Sequence, residues 1–282
     1  MSIDKELIAM FNGVPTELTA QAIELALLSK EQVECPVFHR FGPGVYIREV
    51  HIPAGTVSIG HHQRSEHLNV MLTGRVTMIK DNGAVQELVA PAIFTSKPGR
   101  KIGYIHEDMV WLNVYATQER NIEKLEDMFL EKSDSWKENN AMQNALSKME
   151  KVADVESFKA FCVEFNISEG YLNDVISNQD SHIDLPLGSY SFSIADSPVH
   201  GKGIFASAPF SKDSYIAPAV MNGKLTQVAR YINHSHRPTA KLVKNAIGDY
   251  DIFTLLDIKG NAGGYAGDEI TIDYRTLFEE VE

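Results

Sequence analysis

Two blocks of short β-forming runs, cut by glycine and proline turns, constrain this chain more than any other feature. In the first block, residues 45–52, 70–72, 75–79 and 110–115 are rich in Val, Ile, Met, Leu and aromatic residues. Gly42-Pro43-Gly44, Pro53-Ala54-Gly55, Asp81-Asn82-Gly83 and Lys97-Pro98-Gly99 stand between or beside them. β-branched and aromatic side chains suit a half-buried pleated surface, and Gly, Pro and Asn supply turn conformations. Asp81-Asn82-Gly83 between two such runs predicts a hairpin. Several short strands at this spacing predict a sandwich or barrel. A second block has the same character: residues 190–194, 251–256 and 269–274, with turns expected at Gly223, Gly248, Gly260, Gly263, Gly264 and Gly267.

Helical patterns fill the rest. Residues 7–28 read as one or two helices, with Pro15-Thr16 as a start signal and Leu18, Ala22, Ile23, Leu25, Ala26 and Leu28 on an apolar face. Residues 120–150 are rich in Glu, Lys, Asn, Met and Leu, and Ser133-Asp134-Ser135 reads as a break and a new N-cap. Phe158, Phe161, Cys162 and Phe165 mark a further amphipathic run, and residues 168–176 a short helix. The fold class expected is mainly β with a helical connector. The domains expected are 1–120, a β-barrel with N-terminal helices; 121–185, the connector; and 186–282, a compact β domain. A length of 282 residues and an apolar fraction of 44% suit two domains with their own cores.

Charge and cysteine usage narrow the partners. The net charge of −12 comes with no Lys/Arg run, so nucleic acid is not an expected partner and a basic peptide suits the field better. Cys35 and Cys162 are the only cysteines, which excludes thiolate zinc clusters and argues against a disulfide framework. No apolar run has the length of a membrane span, and the first residues lack a leader pattern, so a cytoplasmic protein is expected.

One stretch of the first block carries candidate ligands: Gly55, then His61-His62-Gln63-Arg64-Ser65-Glu66-His67, then Gly74. Its spacing resembles the first motif of the cupin family. The resemblance implies a cupin-like barrel and a divalent transition metal held by His61 and His67, with Gln63 or His106 as a third ligand. Gln63 stands where a second histidine belongs, and His67 where an acidic ligand belongs. Imidazole donors suit Zn, Fe, Ni or Cu. The alternative reading is a metal-free barrel.

Three stretches of the last hundred residues belong together. They are His200-Gly201-Lys202-Gly203-Ile204-Phe205-Ala206, then Arg230-Tyr231-Ile232-Asn233-His234-Ser235, then Gly267-Asp268-Glu269-Ile270-Thr271-Ile272-Asp273-Tyr274. In order and residue type they resemble the SET domain of protein-lysine methyltransferases. That resemblance implies S-adenosylmethionine as cofactor and a protein lysine as acceptor. Gly201, Lys202, Gly203, Asn233 and His234 would contact the cofactor, and the Tyr274 hydroxyl would lie beside the methyl and orient the amine. Phe278, by position, would cover the adenine or wall the lysine channel. The segment between Gly203 and Asn233 is short for the family, and the usual Tyr-x-Gly-Glu element is missing. The channel would then be completed by the first domain, the middle helices or a second copy of the chain.

The cupin-like and SET-like combination looks similar to uncharacterised proteins of tailed phages, which implies a host cytoplasm or a virion. Two rival readings stand beside methyl transfer. One is a non-catalytic structural or interaction protein that keeps both folds. The other is a metal-dependent cupin enzyme.

Overall fold

The computed structural model describes residues 16–79 and 84–277. The chain divides into two compact units. Among the described residues, unit 1 takes 16–79, 84–119, 124–141 and 262–265; unit 2 takes 120–123, 142–261 and 266–277. The expected Asp81-Asn82-Gly83 turn, Pro15 and Phe278 lie outside the described residues.

Unit 1 opens with helix α1 (Thr16–Leu28) and continues as β1 (Val37–Gly42), β2 (Val45–Ile52), β3 (Val57–Ile59) and β4 (His62–Gln63). β5 (His67–Ile79), β6 (Val85–Val89), β7 (Ala92–Ser96) and β8 (Ile102–Ala116) follow. The paired path runs β1-β2-β8-β5-β6, with β3 also on β8 and β7 also on β5. The barrel expected from the sequence is not closed: among the described residues no pairing brings the β6 end of the path back round. The reason lies in the two long strands. β8 pairs with β2 through residues 109–116 and with β3 through 102–104. β5 pairs with β7 through 67–71 and with β6 through 75–79. Each long strand thus changes neighbour part-way along.

Gly74 makes that bend in β5. Its φ is +96°, and the register against β8 shifts on both sides of it. A Cβ there would meet Met109 Cα, Asp108 O and Glu107 O at 2.8, 2.9 and 2.9 Å. Only glycine fits so close a backbone approach in this conformation. Apolar residues close both faces. Ala20 and Ile23 of α1 bury against Ile79 and Ile102, while Met71, Val76, Ile105, Met109 and Trp111 form a second cluster. Arg100 fastens α1: its Nη1 and Nη2 reach Glu24 Oε2 and Oε1 at 3.2 and 2.6 Å, and its Nε donates to Gly60 O.

Helices follow the sheet: α2 (Ile122–Phe129), then, after β9 (Leu130–Glu131), α3 (Asp134–Glu150), α4 (Val152–Glu164) and α5 (Glu169–Ser177). Ser133 caps α3 as expected, its Oγ accepting from Trp136 N–H at 3.2 Å.

In unit 2, β10 (Gly188–Tyr190) leads to β11 (Phe192–Asp196), β12 (Lys202–Ala206), β13 (Tyr215–Met221) and β14 (Lys224–Leu225). The short helix α6 (Gln227–Tyr231), β15 (Asn233–His234), β16 (Ala240–Lys244), β17 (Tyr250–Thr254) and β18 (Glu269–Ile272) complete it. Two four-stranded sheets result, ordered β11-β12-β18-β15 and β14-β13-β17-β16. β15 and β18 are parallel, with Asn233 opposite Thr271 and His234 opposite Ile272. Thr226 sets up the approach: its hydroxyl donates to Pro218 O and accepts from Val228 N–H, starting the single turn that delivers residues 232–234.

Gly74→Ala should destabilise unit 1 by about 2 kcal/mol or more, since strained backbone and a backbone overlap act together. Urea denaturation checks this; a midpoint unchanged from the wild type contradicts the role given to Gly74.

Candidate functional site

Strand alternation sends one set of side chains to the inner face of unit 1. The registers align them in rows across the strands. Phe41 lies opposite Tyr46, and Tyr46 opposite Tyr115. His39 lies opposite Arg48, Arg48 opposite Asn113, and Asn113 opposite Asn69. Val37, Val50, Trp111 and Met71 form the next row. An apolar row therefore follows a polar one, deep in the unit. His39 and Asn69 are both 0% exposed.

Half of the polar row closes on itself. Asn69 Oδ1 accepts from Asn113 Nδ2 at 3.0 Å and Trp111 Nε1 at 3.2 Å, and Asn69 Nδ2 donates to Ser96 Oγ. The other half does not. His39 Nδ1 meets the Tyr46 hydroxyl at 2.7 Å, but His39 Nε2 and Arg48 Nε have no partner among the described residues. Burial pushes His39 down to about 4, with Arg48 adding to the effect and Glu126 opposing it. Burial raises the Tyr46 phenol well above its ordinary range, so it keeps its proton.

The expected metal ligands stand apart from one another in function. His67 Nδ1 bonds Ser65 O at 2.9 Å, and Lys101 Nζ sits 3.2 Å from His67 Nε2. A lysine thus occupies the coordinating nitrogen. Burial brings that lysine down to about 8. His61 sets edge-on to Trp136, centroids 5.2 Å apart, and is pushed down to about 3 by burial and then by Lys132 and Arg48. Gln63 Oε1 accepts from the Tyr115 hydroxyl at 2.5 Å, and His106 Nε2 meets Thr77 Oγ1 at 2.7 Å. Among the described residues no three His, Cys, Asp or Glu side chains gather as metal ligands. The donor set does not fit a divalent metal, because cations already flank both imidazoles.

In unit 2 the expected cofactor residues do converge. Asn233 Nδ2 lies within hydrogen-bond reach of His200 O (3.1 Å), Lys202 O (3.0 Å) and Glu269 Oε1 (3.0 Å). Glu269 Oε1 also accepts from Ser197 Oγ at 2.7 Å, while Glu269 Oε2 is buried without a partner among the described residues. Burial raises the Glu269 carboxyl above its ordinary range, and the Ser197 and Asn233 bonds oppose the shift. Gly203 is glycine for an internal reason: a Cβ would overlap the Glu269 carboxylate. Gly201, at φ +51°, has open space where its Cβ would stand. Lys202 forms an ion pair with Glu123.

His234 is fully buried. Its Nδ1 accepts from Tyr274 N–H at 3.1 Å, which leaves Nε2 protonated and donating to Ser157 Oγ at 2.8 Å. Burial lowers its pKa, so it is neutral. The Tyr274 hydroxyl donates to Ile232 O at 2.6 Å, and burial raises the phenol far above its ordinary range. Sequence reasoning placed these residues but missed what lies on them. Helix α4 sets Phe158 and Phe161 edge-on to Tyr274 at 6.3 and 5.3 Å, and Phe158 lies 5.0 Å from His200. Asp154 of α4 accepts from Ser235 Oγ at 2.6 Å and pairs with His236 and Lys151. The helical spacing of Phe158 and Phe161 was visible, but nothing in the sequence says which surface they cover.

No protein-family model matches the chain, and no curated protein sequence matches it. Among solved structures, similarity is to cupin proteins over part of the chain. A cupin domain from Bordetella pertussis Tohama I is 14% identical, covering 32% of this chain and 99% of that one, with a TM-score of 0.26. An RmlC-like cupin family protein with a double-stranded β-helix fold from Methanocaldococcus jannaschii is 15% identical, covering 31% and 85%, with a TM-score of 0.26. An RmlC-like cupin protein from Ralstonia eutropha JMP134 is 16% identical, covering 30% and 57%, with a TM-score of 0.25. Likeness this partial says nothing about activity. Among the described residues no helix is long and apolar enough to cross a membrane.

The buried imidazole gives a pH signature. An unfolded chain protonates His39 near 6.5, whereas the folded protein resists down to about 4. Stability is therefore full above 6.5 and falls as pH drops toward 4, by at most about 1.4 kcal/mol per pH unit for one histidine. His39→Phe should flatten the slope of unfolding free energy between pH 6.5 and 5, above most carboxylate titration. An identical slope in the variant contradicts a neutral buried His39.

Proposed function

We propose that unit 2 binds S-adenosylmethionine and transfers its methyl group to a lysine of a protein or basic peptide. The observation that supports this reading best is the parallel pairing of β15 with β18. It holds Asn233 and His234 beside Tyr274 and aims the phenol at the Ile232 carbonyl. A cationic ligand suits the oxygens gathered there: the carbonyls of His200, Lys202 and Ile232, and the unpartnered Oε2 of Glu269. The space beside Gly201 lets a ligand approach the backbone closely.

When bound, the cofactor supplies an electrophilic methyl on a positively charged sulfur. The chain's tasks are to align a neutral amine with that methyl and to keep water out. A lysine amine entering an apolar site beside a positive charge loses its proton more readily, through desolvation and like-charge repulsion. Phe158 and Phe161 supply apolar surface next to Tyr274. The Tyr274 oxygen, with its hydrogen given to Ile232 O, keeps lone pairs free to accept from the incoming amine.

One observation favours a second reading, a scaffold without catalysis. The Asn233 amide is already bonded inside the protein, and α4 lies over Tyr274 and His234. Calorimetry with S-adenosylmethionine separates the two. Binding at micromolar to low millimolar concentration, with methyl incorporated into lysine-rich peptides, is expected; no heat at millimolar concentration favours the scaffold. Tyr274→Phe should lose most of the transfer rate, about a hundredfold or more as for other positioned catalytic groups, while cofactor affinity stays within about twofold. Equal rates for variant and wild type would remove Tyr274 from the mechanism.

A further inference from the structure

Lys101 of unit 1 has surroundings unlike those of an ordinary lysine. It stands just ahead of β8, where Gly60 N–H donates to its carbonyl at 2.9 Å. Its neighbour Arg100 turns to Glu24 of α1, whereas Lys101 turns to the inner face. There Lys101 Nζ lies 3.2 Å from His67 Nε2 and 5.9 Å from the centre of the Trp111 ring. The Tyr115 ring also meets His67, centroids 5.4 Å apart. His67, Trp111 and Tyr115 are buried, and Lys101 is half-buried. Close by along the chain, Lys97 and Pro98 are exposed, and Gly99 has open space where a Cβ would stand.

The proton positions follow from the partners. Ser65 O can only accept, so His67 Nδ1 carries the hydrogen of their 2.9 Å bond. Burial lowers the basicity of His67, and the neutral ring presents a lone pair at Nε2, to which Lys101 donates. Other lysines meet carboxylates: Lys132 meets Glu126, Lys137 meets Asp134 and Lys151 meets Asp154. Among the described residues no carboxylate pairs with Lys101. An ammonium between an imidazole and an indole loses hydration without gaining a counter-charge. Burial accordingly brings Lys101 down to about 8. Roughly a tenth of it is then free amine at neutral pH, against well under a thousandth for a lysine at 10.4. A desolvated amine beside a proton acceptor is the pairing that attack on a carbonyl requires.

We propose that Lys101 is a nucleophile that forms an imine with a small, uncharged aldehyde, with His67 Nε2 as the proton carrier. The site is independent of the reading given to unit 2. The Nζ lone pair attacks the carbonyl carbon, the C–N bond forms and the C=O π pair moves to oxygen. His67 takes one proton from nitrogen and passes it to that oxygen, giving a carbinolamine. It then takes the second nitrogen proton and passes it to the hydroxyl, which leaves as water as the C–O bond breaks and C=N forms. The products are one imine and one water, with no change of oxidation state. An aldehyde suits a half-buried amine because its carbonyl carbon bears only one substituent besides hydrogen. It is uncharged because the flanking His67, Trp111 and Tyr115 offer no charge to pair with one.

The test uses the full chain at neutral pH with limiting benzaldehyde and sodium cyanoborohydride, which reduces an imine to a stable secondary amine. Peptide mass spectrometry then reads the label on each lysine. Lys101 should be labelled at least about tenfold faster than the exposed Lys124 and Lys137, in line with its larger share of free amine. That comparison lies within the wild type, so it stands even where a variant fails to fold. His67→Gln should slow the labelling of Lys101 by about fivefold or more and leave Lys124 and Lys137 unchanged. Lys101→Arg should remove the fast label. Pyruvate, a charged keto acid, should label Lys101 more slowly than benzaldehyde. The proposal is overturned by Lys101 reacting no faster than Lys124 and Lys137, by an unchanged rate in His67→Gln, by a fast label that persists in Lys101→Arg, or by pyruvate reacting faster than benzaldehyde.

Discussion

The pairing of β5 with β8 is the constraint on which unit 1 rests. A strand turns alternate side chains to opposite faces, so a slip of one residue exchanges the whole inner set for the outer. Asn69 opposite Asn113 and Met71 opposite Trp111 fix the inner face; Leu68 opposite Val114 and Val70 opposite Leu112 fix the outer. β2 and β1 then inherit their registers from β8 in turn, which sends Arg48 and His39 inward. The bend at Gly74 lets the two halves of β5 serve different neighbours. Interior chemistry in this unit is thus a consequence of register, set by the strands that make the most ladder bonds.

That interior treats its polar groups in two ways. Asparagines and a serine satisfy one another where β8 and β5 meet, and such a network stiffens the core. Arg48 Nε and His39 Nε2 have no partner among the described residues where β1 and β2 meet. The electrostatics agree with this division. His39 and His61 are held neutral by burial with cations nearby, and His67 accepts at Nε2 from a lysine that burial has made less basic. Imidazoles so placed are poor ligands for a metal cation, whatever their spacing along the chain.

Unit 2 relies on a different device. Two residues of β15 pair in parallel with the last strand, which threads one segment against another far away in sequence. Asn233 and Glu269 tie the result together from inside, and Gly203 has no side chain because the glutamate needs its place. Helix α4 completes the surface through Ser157, Phe158, Phe161 and Asp154. The residues that a methyltransferase reading requires are neighbours here, and the same contacts give each of them a structural duty.

Much of the local structure was legible beforehand. The β runs at residues 45–52 and 110–115, the cap at Ser133 and the helical spacing of Phe158 and Phe161 could all be read from residue order, whereas the grouping of Asn233 and His234 with Tyr274 came only from the SET resemblance. The closed barrel and the metal ligands could not be judged that way. Spacing places His61 and His67 near one another along the chain but says nothing about Lys101, Lys132 or Arg48, which arrive from other elements. Sequence by itself determined where strands, turns and caps fall, because those depend on the conformational preferences of adjacent residues. Tertiary structure alone decided which charges surround each histidine, whether the sheet closes and what covers Tyr274. Those outcomes depend on pairings between residues tens of positions apart, where the geometry of the ladder, not local preference, sets who meets whom.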